Sequence, residues 1–357
     1  MRNQARAFLL FALLLMLAVV SALVYRYAFR GAGLREHMIS EEELFRNPST
    51  HPEAVEYEEM VKQLGPAPQD NANLRVGGVL KFLGNSYWQL LARGIGEKSG
   101  QLDLRVEIQA AQSESDPEGQ RILLEQMTEN GKDGFLIAPQ AEQNLVEAIR
   151  ALRRQSIPVV HLSEVGTEMA HHFVGVNHLH TGVLAADYFA ERLPDGGEIA
   201  IIMGLDNVNA AEHRTSGFIE AAVARNLEVV KVVPGDWSLE KAMNITSSLL
   251  DEYPELKGIY CNNDTMALGA IQALKRTGKL EDVIVVGTDG IGAAIDAIQT
   301  GELSATIDIH PLETGAIGLE VLVRILHSQE VPPVVFVPQT LITRESVQTD
   351  SSESSIP

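Results

Sequence analysis

Residues 259–289 read IYCNNDTMALGAIQALKRTGKLEDVIVVGTD and contain two short apolar runs, each followed by polar residues. The runs at 258–261 and 283–286 predict buried strands, and the small and apolar residues between them predict a closely packed helix. In an open parallel sheet, ligands bind outside the carboxyl ends of the strands. We therefore expect Asn263 and Asp289 to face one crevice. Asn263 and Asp264 have an alternative role as helix caps, a position that Asn and Asp favour.

The same alternation of strand and helix continues in both directions and begins near Leu74. The predicted strands lie at 75–82, 104–109, 134–137, 158–162, 173–176, 199–203, 228–232, 258–261, 283–286 and 304–307. The predicted helices lie at 88–99, 117–130, 141–155, 180–193, 210–224, 239–253, 266–277 and 314–327. This pattern is typical of α/β proteins with parallel sheets. Because one sheet rarely holds so many strands, we predict two doubly wound lobes.

The ends of the chain differ in composition from this part. Residues 1–30 carry Arg2 and Arg6 before an apolar run at 7–24, which predicts either a cleaved signal peptide or a retained membrane anchor. Residues 31–73 are rich in Glu and Pro and predict a solvated acidic spacer, with short helices at 41–46 and 54–64. Residues 348–357 predict a disordered tail.

Composition excludes several classes of function. The formal net charge of −20 repels phosphate backbones and argues against a nucleic-acid partner. Cys261 is the only cysteine, so the chain has neither an internal disulfide nor a cysteine-based metal cluster. The histidines at 171, 172, 178 and 180 have spacings that fit no common metal site. No nucleophile elbow, phosphate-binding loop or zinc-protease motif is present, so we predict no enzyme activity, cofactor or metal.

Several other polar and aromatic residues are placed where a ligand site is expected. Tyr87 and Trp88 are adjacent aromatics just after the first strand, where stacking on a sugar ring is an alternative to packing in the core. Asn85 precedes them, and Trp237 follows a strand of the second lobe. Arg214 lies near a helix start, where the helix dipole disfavours an unpaired cation, so it needs a partner or a ligand.

Segments throughout the globular part resemble the periplasmic sugar-binding proteins of the ribose type, which share the type I periplasmic binding fold. The segments are GNSYW (84–88), IPVV (157–160), RTSGF (214–218), NNDTMALGA (262–270), VVGTDG (285–290) and LSATI (303–307). The resemblance covers about residues 74–345 and implies two lobes joined by a multi-strand hinge. The family's pocket positions fall on Asn85, Tyr87, Trp88, Arg214, Trp237, Asn263 and Asp289.

One departure from the family pattern concerns ligand preference. Ribose binders of the family carry an Asp-Arg pair after the strand that begins Ile-Pro-Val, and this chain has Ser163 and Glu164 there. We include both residues among the candidate ligand contacts. A glutamate in place of the arginine favours a donor-rich ligand over ribose, if its side chain faces the pocket.

The resemblance implies an exported, non-enzymatic, monomeric protein in the periplasm or cell envelope. It would bind a small carbohydrate or polyol between lobe 1 (74–176 and 310–335) and lobe 2 (177–309 and 336–347). Its partner would be an ABC-type permease. The alternative is a membrane-tethered sensory receptor for a sugar-like or quorum signal, with a membrane sensor as its partner.

Overall fold

A computed structural model describes residue 48 and residues 51–141, 143–163, 172–206 and 208–353. These residues belong to one compact unit that spans residues 42–357. The strands are β1 (Ala54–Glu56), β2 (Arg75–Phe82), β3 (Arg105–Ala111), β4 (Gly134–Ile137), β5 (Val159–Leu162), β6 (His172–Gly175), β7 (Gly197–Met203), β8 (Leu227–Pro234), β9 (Gly258–Cys261), β10 (Ile284–Asp289), β11 (Ala305–Asp308), β12 (Val334–Phe336) and β13 (Thr340–Thr343).

The helices alternate with these strands. They are α1 (Tyr57–Leu64), α2 (Ser86–Gln101), α3 (Pro117–Glu129), α4 (Val146–Arg154), α5 (His178–Arg192), α6 (Asn209–Ala224), α7 (Leu239–Glu252), α8 (Asp264–Thr277), α9 (Gly292–Thr300), α10 (Pro311–Leu326) and α11 (Arg344–Glu353). The predicted α/β fold class is therefore confirmed.

Two sheets form the centres of two lobes. The first has seven parallel strands in the order β1-β12-β6-β5-β4-β2-β3. The second has six strands in the order β13-β11-β10-β9-β7-β8, and only β13 is antiparallel to its neighbour. The chain passes between the sheets after β6, after β11 and after β12. These crossings place the carboxyl ends of the parallel strands on either side of one cleft.

Glycines allow helices α5 and α6 of the second lobe to approach closely. A Cβ atom on Gly182 of α5 would lie 2.2 Å from the carbonyl oxygen of Arg214, and one on Gly217 of α6 would lie 2.1 Å from that of Leu179. Any larger residue at these positions would separate the two helices. The contact therefore fixes the first turns of α6, which carry Arg214, against α5.

The expectation of a solvated spacer up to residue 73 is wrong for the part that the structure describes. Residues 54–56 form β1, which pairs with β12, and the predicted helix at 54–64 begins only at Tyr57. Met60 of α1 is completely buried, and Val55 and Leu64 pack against the main apolar core. The acidic residues of this segment lie on its outer side, so its composition concealed an amphipathic element. The helix predicted at 41–46 lies outside the described residues.

One expectation about the carboxyl end also needs correction. There, β12 pairs with β6 in the first sheet and β13 joins the second. Residues 344–353 form α11, so the tail is helical up to Glu353 and not disordered from residue 348. Within the described residues no helix combines the length and apolar character needed to span a membrane. The apolar run at 7–24 lies outside them.

A buried ionic network attaches α1 to the first lobe. Glu320 of α10 accepts hydrogen bonds from Tyr57 (3.1 Å), Lys98 (2.5 Å) and Arg324 (2.7 Å). Arg324 is fully buried and also donates to the carbonyl oxygen of Gly65, at the end of α1, over 2.7 Å. Burial would raise the pKa of Glu320, but the hydrogen bonds from Lys98 and Arg324 outweigh burial and hold the pKa below its ordinary value.

We predict that Glu320→Ala lowers the free energy of unfolding by about 3–5 kcal/mol, because it leaves a buried guanidinium without its carboxylate. Tyr57→Phe, which removes one hydrogen bond, is expected to cost about 0.5–1.5 kcal/mol. Urea denaturation measures both. Glu252→Ala is the control, since Glu252 forms an exposed ion pair with Lys231 and its loss is expected to leave stability unchanged. Equal stabilities of the Glu320 and Glu252 variants would contradict the prediction.

Candidate ligand-binding site

A cavity with about 400 Å³ of empty space, partly open to solvent, lies between the lobes at the carboxyl ends of their strands. The cavity is lined by Lys81, Asn85, Tyr87, Trp88, Glu114, Ser163, His178, Ala210, Arg214, Trp237, Asn263 and Asp289. All the predicted site residues within the described part of the chain are among them. Glu164 lies outside the described residues, so its contribution stays a prediction.

The first turn of α2 presents two aromatic side chains to the cavity. Asn85 caps this helix, because its Oδ1 accepts the backbone N–H of Tyr87 over 2.9 Å. The rings of Tyr87 and Trp88 meet edge to face with centroids 4.8 Å apart. The Trp88 indole nitrogen donates to Glu114 over 3.2 Å, and the Lys81 ammonium lies 5.6 Å from the centroid of the Trp88 ring. The orientation of Trp88 is therefore fixed by contacts on its edge and its face.

Ser163 closes the same side of the cavity. Its hydroxyl lies 2.5 Å from the Tyr87 hydroxyl, and its backbone has a φ of +62°, which is uncommon for a residue other than glycine. Its carbonyl oxygen accepts a hydrogen bond from Nε2 of His178 over 2.9 Å. Ser163 therefore links an aromatic residue of the first lobe to the start of α5.

Arg214 and Asp289 form a buried pair on the second lobe. Their side chains are only 5% and 6% exposed, and Nη1 of Arg214 lies 3.5 Å from Oδ1 of Asp289. Arg214 also donates to the carbonyl oxygen of Asn262 (2.6 Å) and to Nδ1 of His178 (3.3 Å). A cation near a helix start needs a partner, and Asp289 is that partner for Arg214.

Burial dominates the ionisation of the groups around Arg214. It raises the pKa of Asp289 well above its ordinary value, and the guanidinium of Arg214 opposes this rise. It also lowers the pKa of His178 well below its ordinary value, and the positive charge of Arg214 adds to the effect. His178 is therefore a neutral imidazole at neutral pH, with Nε2 as the donor to Ser163 and Nδ1 as the acceptor from Arg214.

Of the two residues considered as helix caps, Asn263 has this role and Asp264 does not. Asn263 caps α8, because its Oδ1 accepts the backbone N–H of Met266 over 2.9 Å, and its side chain also lines the cavity. Asp264 instead accepts the backbone N–H groups of Gly290 (2.8 Å) and Ile291 (3.0 Å) and the hydroxyl of Thr306 (2.6 Å). Asp264 therefore holds the loop that follows Asp289.

Trp237 reaches the cavity from the loop after β8. Asp236 and Trp237 both have left-handed backbones, with φ values of +53° and +59°. The Trp237 ring lies on Gly204, where an added Cβ atom would be 2.1 Å from the ring. Residue 204 must therefore lack a side chain for the indole to occupy this position.

Sequence reasoning missed four lining residues: Lys81, Glu114, His178 and Ala210. Lys81 is the penultimate residue of a strand whose sequence otherwise indicates apolar core, and Glu114 lies in a loop where no sequence motif marks it as a ligand contact. His178 was noticed only as one of a group of histidines. The described residues contain no group of three His, Cys, Asp or Glu side chains arranged to hold a metal ion.

Comparisons with known proteins identify the family. Residues 76–330 match the model of the periplasmic binding protein domain, so the chain belongs to this family. The chain is 34% identical over 273 residues to the D-allose-binding periplasmic protein of Escherichia coli, which covers 73% of this chain and 87% of that protein. It is 30% identical over 282 residues to the D-ribose/D-allose-binding protein of Pseudomonas aeruginosa, or 75% of this chain and 88% of that protein.

Solved structures agree with this assignment. A periplasmic solute-binding protein of an ABC transporter from Actinobacillus succinogenes, with bound D-allose, has a TM-score of 0.75 and 27% identity, covering 78% of this chain and 100% of its own. A solute-binding protein of an ABC transporter from Bacillus halodurans, with bound myo-inositol, has a TM-score of 0.72 and 26% identity. The match covers 81% of this chain and 99% of that protein.

These findings confirm the predicted family, its type I periplasmic binding fold and the role of a binding protein rather than an enzyme. The predicted function, capture of a small sugar or polyol for an ABC-type importer, agrees with these relatives. The alternative of a membrane-tethered sensory receptor gains no support from them.

The pKa of Asp264 generates a prediction about stability. Burial raises it from 3.8 to about 6 despite the hydrogen bonds from Thr306, Ile291 and Gly290. A raised pKa means that the folded state binds the proton more tightly than the unfolded state does. This contribution to stability is therefore lost as pH rises from the ordinary pKa of 3.8 to the folded-state pKa of about 6. We expect the stability of the parent, relative to Asp264→Asn, to fall by about 2–3 kcal/mol between about pH 4 and pH 6.5.

Urea denaturation of both proteins across this pH range measures the difference. Asp282→Asn, which makes the same carboxylate-to-amide change at an exposed position, is the control. A parent that gains stability relative to Asp264→Asn as pH rises would contradict the prediction.

Proposed function

We propose that this protein captures a small neutral sugar in the cavity between its lobes and delivers it to an ABC-type permease. The observation that carries the proposal is the convergence of aromatic and charged side chains from both lobes on one cavity. Both lobes contribute to the lining, so a bound ligand stabilises their closure by a hinge motion. The relatives named above support the same class of ligand.

The charges of the cavity favour a neutral ligand. Lys81 and Arg214 supply two cations, and Glu114 and Asp289 supply two carboxyl groups. A charged ligand would disturb this balance, whereas hydroxyl groups both donate to carboxylates and accept from cations. A polyhydroxylated ring therefore satisfies every one of these groups without adding charge.

The aromatic residues favour a ring with an apolar face. Tyr87, Trp88 and Trp237 lie at the cavity from different lobes, and the Trp88 edge is already bonded to Glu114. Rings held in this way present fixed apolar faces to the C–H groups of a sugar. Asn85 and Asn263 both cap helices through Oδ1. Nδ2 of Asn85 also donates to Glu114 over 3.4 Å, so its second N–H and the amide of Asn263 are the donors proposed for ligand oxygens.

We further propose that the preferred ligand is an aldohexose of the allose kind rather than ribose. Two features support this choice: the relatives named for D-allose, and Ser163 and Glu164 in place of the Asp-Arg pair of ribose binders. Lys81, from the same lobe as Ser163, supplies a cation to the cavity instead.

Replacement of the buried pair tests the site. Asp289→Ala or Arg214→Ala is expected to weaken sugar binding by about ten- to a hundredfold, because hydrogen bonds to charged groups contribute about 1.5–3 kcal/mol. Calorimetric titration with D-allose, D-ribose, myo-inositol and an amino sugar measures affinity and preference. Arg225→Ala is the control, since Arg225 pairs with Asp187 away from the cavity.

The outcomes separate the parts of the proposal. The whole proposal is supported if the parent binds D-allose more tightly than D-ribose, if both site variants bind D-allose more weakly, and if the control variant binds it like the parent. Tighter binding of ribose would refute the sugar preference, and a parent that binds none of these compounds would refute sugar capture. Recovery of a chemically altered ligand would show that the protein is an enzyme.

We also propose that the protein is exported and acts as a monomer outside the cytoplasmic membrane, released by cleavage or held by residues 7–24. Fractionation of cells with the full-length protein, followed by amino-terminal sequencing, tests the export. The protein is expected in the periplasm, with a new terminus after Ala22, or in the membrane fraction with Met1 retained. An unprocessed protein in the cytoplasmic fraction would contradict this proposal.

A further inference from the structure

We propose that two buried glutamines, Gln120 and Gln140, position Lys81 and Glu114 in the cavity and thereby determine ligand affinity and preference. The inference rests on the proposed function, because it treats Lys81 and Glu114 as contacts of a bound sugar. Neither glutamine lines the cavity, and they are 0% and 7% exposed. Both are therefore positioning residues that act through the backbone of their neighbours.

A β-bulge sets the direction of Lys81. In the pairing of β2 with β3, Leu80 lies opposite Ala110 and Phe82 lies opposite Ala111, so Lys81 is the extra residue. Bulges interrupt the regular ladder and redirect a side chain, and they are common beside functional sites. Regular pairing of β2 with β4 ends at Val79, two residues before Lys81. Regular backbone pairing with β3 and β4 therefore does not hold the last residues of β2 in place.

Side-chain amides supply the missing hydrogen bonds. Nε2 of Gln140 donates to the carbonyl oxygen of Lys81 over 3.0 Å and to that of Ser113, the residue before Glu114, over 2.6 Å. Nε2 of Gln120 donates to the carbonyl oxygen of Leu80 over 3.2 Å. One amide group therefore joins the backbones that carry the cation and the carboxylate of the first lobe.

The two glutamines also hold each other. Oε1 of Gln120 accepts the backbone N–H of Gln140 and the side chain of Asn144, both over 2.9 Å. Nε2 of Gln120 also reaches the carbonyl oxygen of Ala138, beyond the end of β4, over 2.8 Å. Because Nε2 of each glutamine faces carbonyl oxygens, the reversed amide would place an oxygen against those acceptors and lose the hydrogen bonds. Oε1 of Gln140 is buried and has no hydrogen-bond partner among the described residues, so this side chain is held through Nε2. Hydrogen bonds from the two glutamines consequently connect the chain at the ends of β2, β3 and β4.

A double-mutant cycle tests whether Gln140 acts through Lys81. Gln140→Met keeps the shape of the side chain and removes the donor, and Lys81→Met removes the cation. Each change is expected to weaken binding of D-allose. If Gln140 acts by placing Lys81, the double variant should bind more tightly than the product of the single effects predicts, by about threefold or more. Calorimetry at one pH and one salt concentration provides all the affinities.

Asn71 provides a matched control. Its amide is 1% exposed and also donates to two carbonyl oxygens, those of Pro68 (2.8 Å) and Leu102 (3.0 Å), but it does not line the cavity. Asn71→Leu should lower the melting temperature as Gln140→Met does, and its effect on affinity should be independent of Lys81. The comparison separates positioning of the site from general loss of stability.

The possible results are distinct. Coupling between Gln140 and Lys81, together with none between Asn71 and Lys81, supports the inference. Independent effects of Gln140 and Lys81, equal coupling of both amides, or unchanged affinity in Lys81→Met would overturn it. If Gln140→Met fails to fold, Gln140→Asn, which keeps a shorter amide, takes its place in the same cycle. A parent that binds none of the tested sugars would instead refute the proposed function.

Discussion

Burial of the Arg214 guanidinium is the interaction on which the rest of the site depends. Removing a charge of this kind from water costs several kcal/mol unless its donors are satisfied. Here the donors are directed at Asn262, His178 and Asp289, which lie on three different elements. The glycine contact between α5 and α6 holds the backbone of Arg214 in place. The arginine therefore fixes the ends of β9 and β10 relative to the first residue of α5, where the chain has just crossed from the first lobe.

Each lobe contributes one basic and one acidic side chain to the site. Arg214 and Asp289 pair in the second lobe, and Lys81 and Glu114 line the cavity from the first. Between them, His178 connects the carbonyl oxygen of Ser163 to Arg214 without carrying a charge. An arrangement of this kind is preorganised for neutral hydrogen-bonding groups, because little side-chain ordering remains to be done when a ligand enters.

Much of this arrangement was predictable from the sequence, for a simple geometric reason. Parallel strands all end at the same edge, so polar residues after strands, such as Asn263 and Asp289, had to meet at one cleft. Lys81 was not predictable, because its position depends on a bulge and on hydrogen bonds from residues far along the chain. Glu114 lies in a loop whose path is likewise set by Gln140.

The segment at 54–64 is a part of the fold that composition alone predicted wrongly. Its many glutamates suggested a solvated spacer, but a few apolar residues at helical spacing were enough to dock it. The buried network around Glu320 could not be foreseen, because its members come from α1, α2 and α10. Ionic contacts between distant segments leave no local pattern in a sequence.

The pairing of β1 with β12 has a consequence for how the molecule can be approached. Because the two strands are parallel, the chain enters β1 at the amino-terminal edge of the first sheet, and the cleft lies at the carboxyl-terminal edge. A linker, a surface or a fluorescent group attached ahead of β1 would consequently meet the lobe on the side away from the cleft. Immobilisation through this end would leave the entrance to the cavity unobstructed.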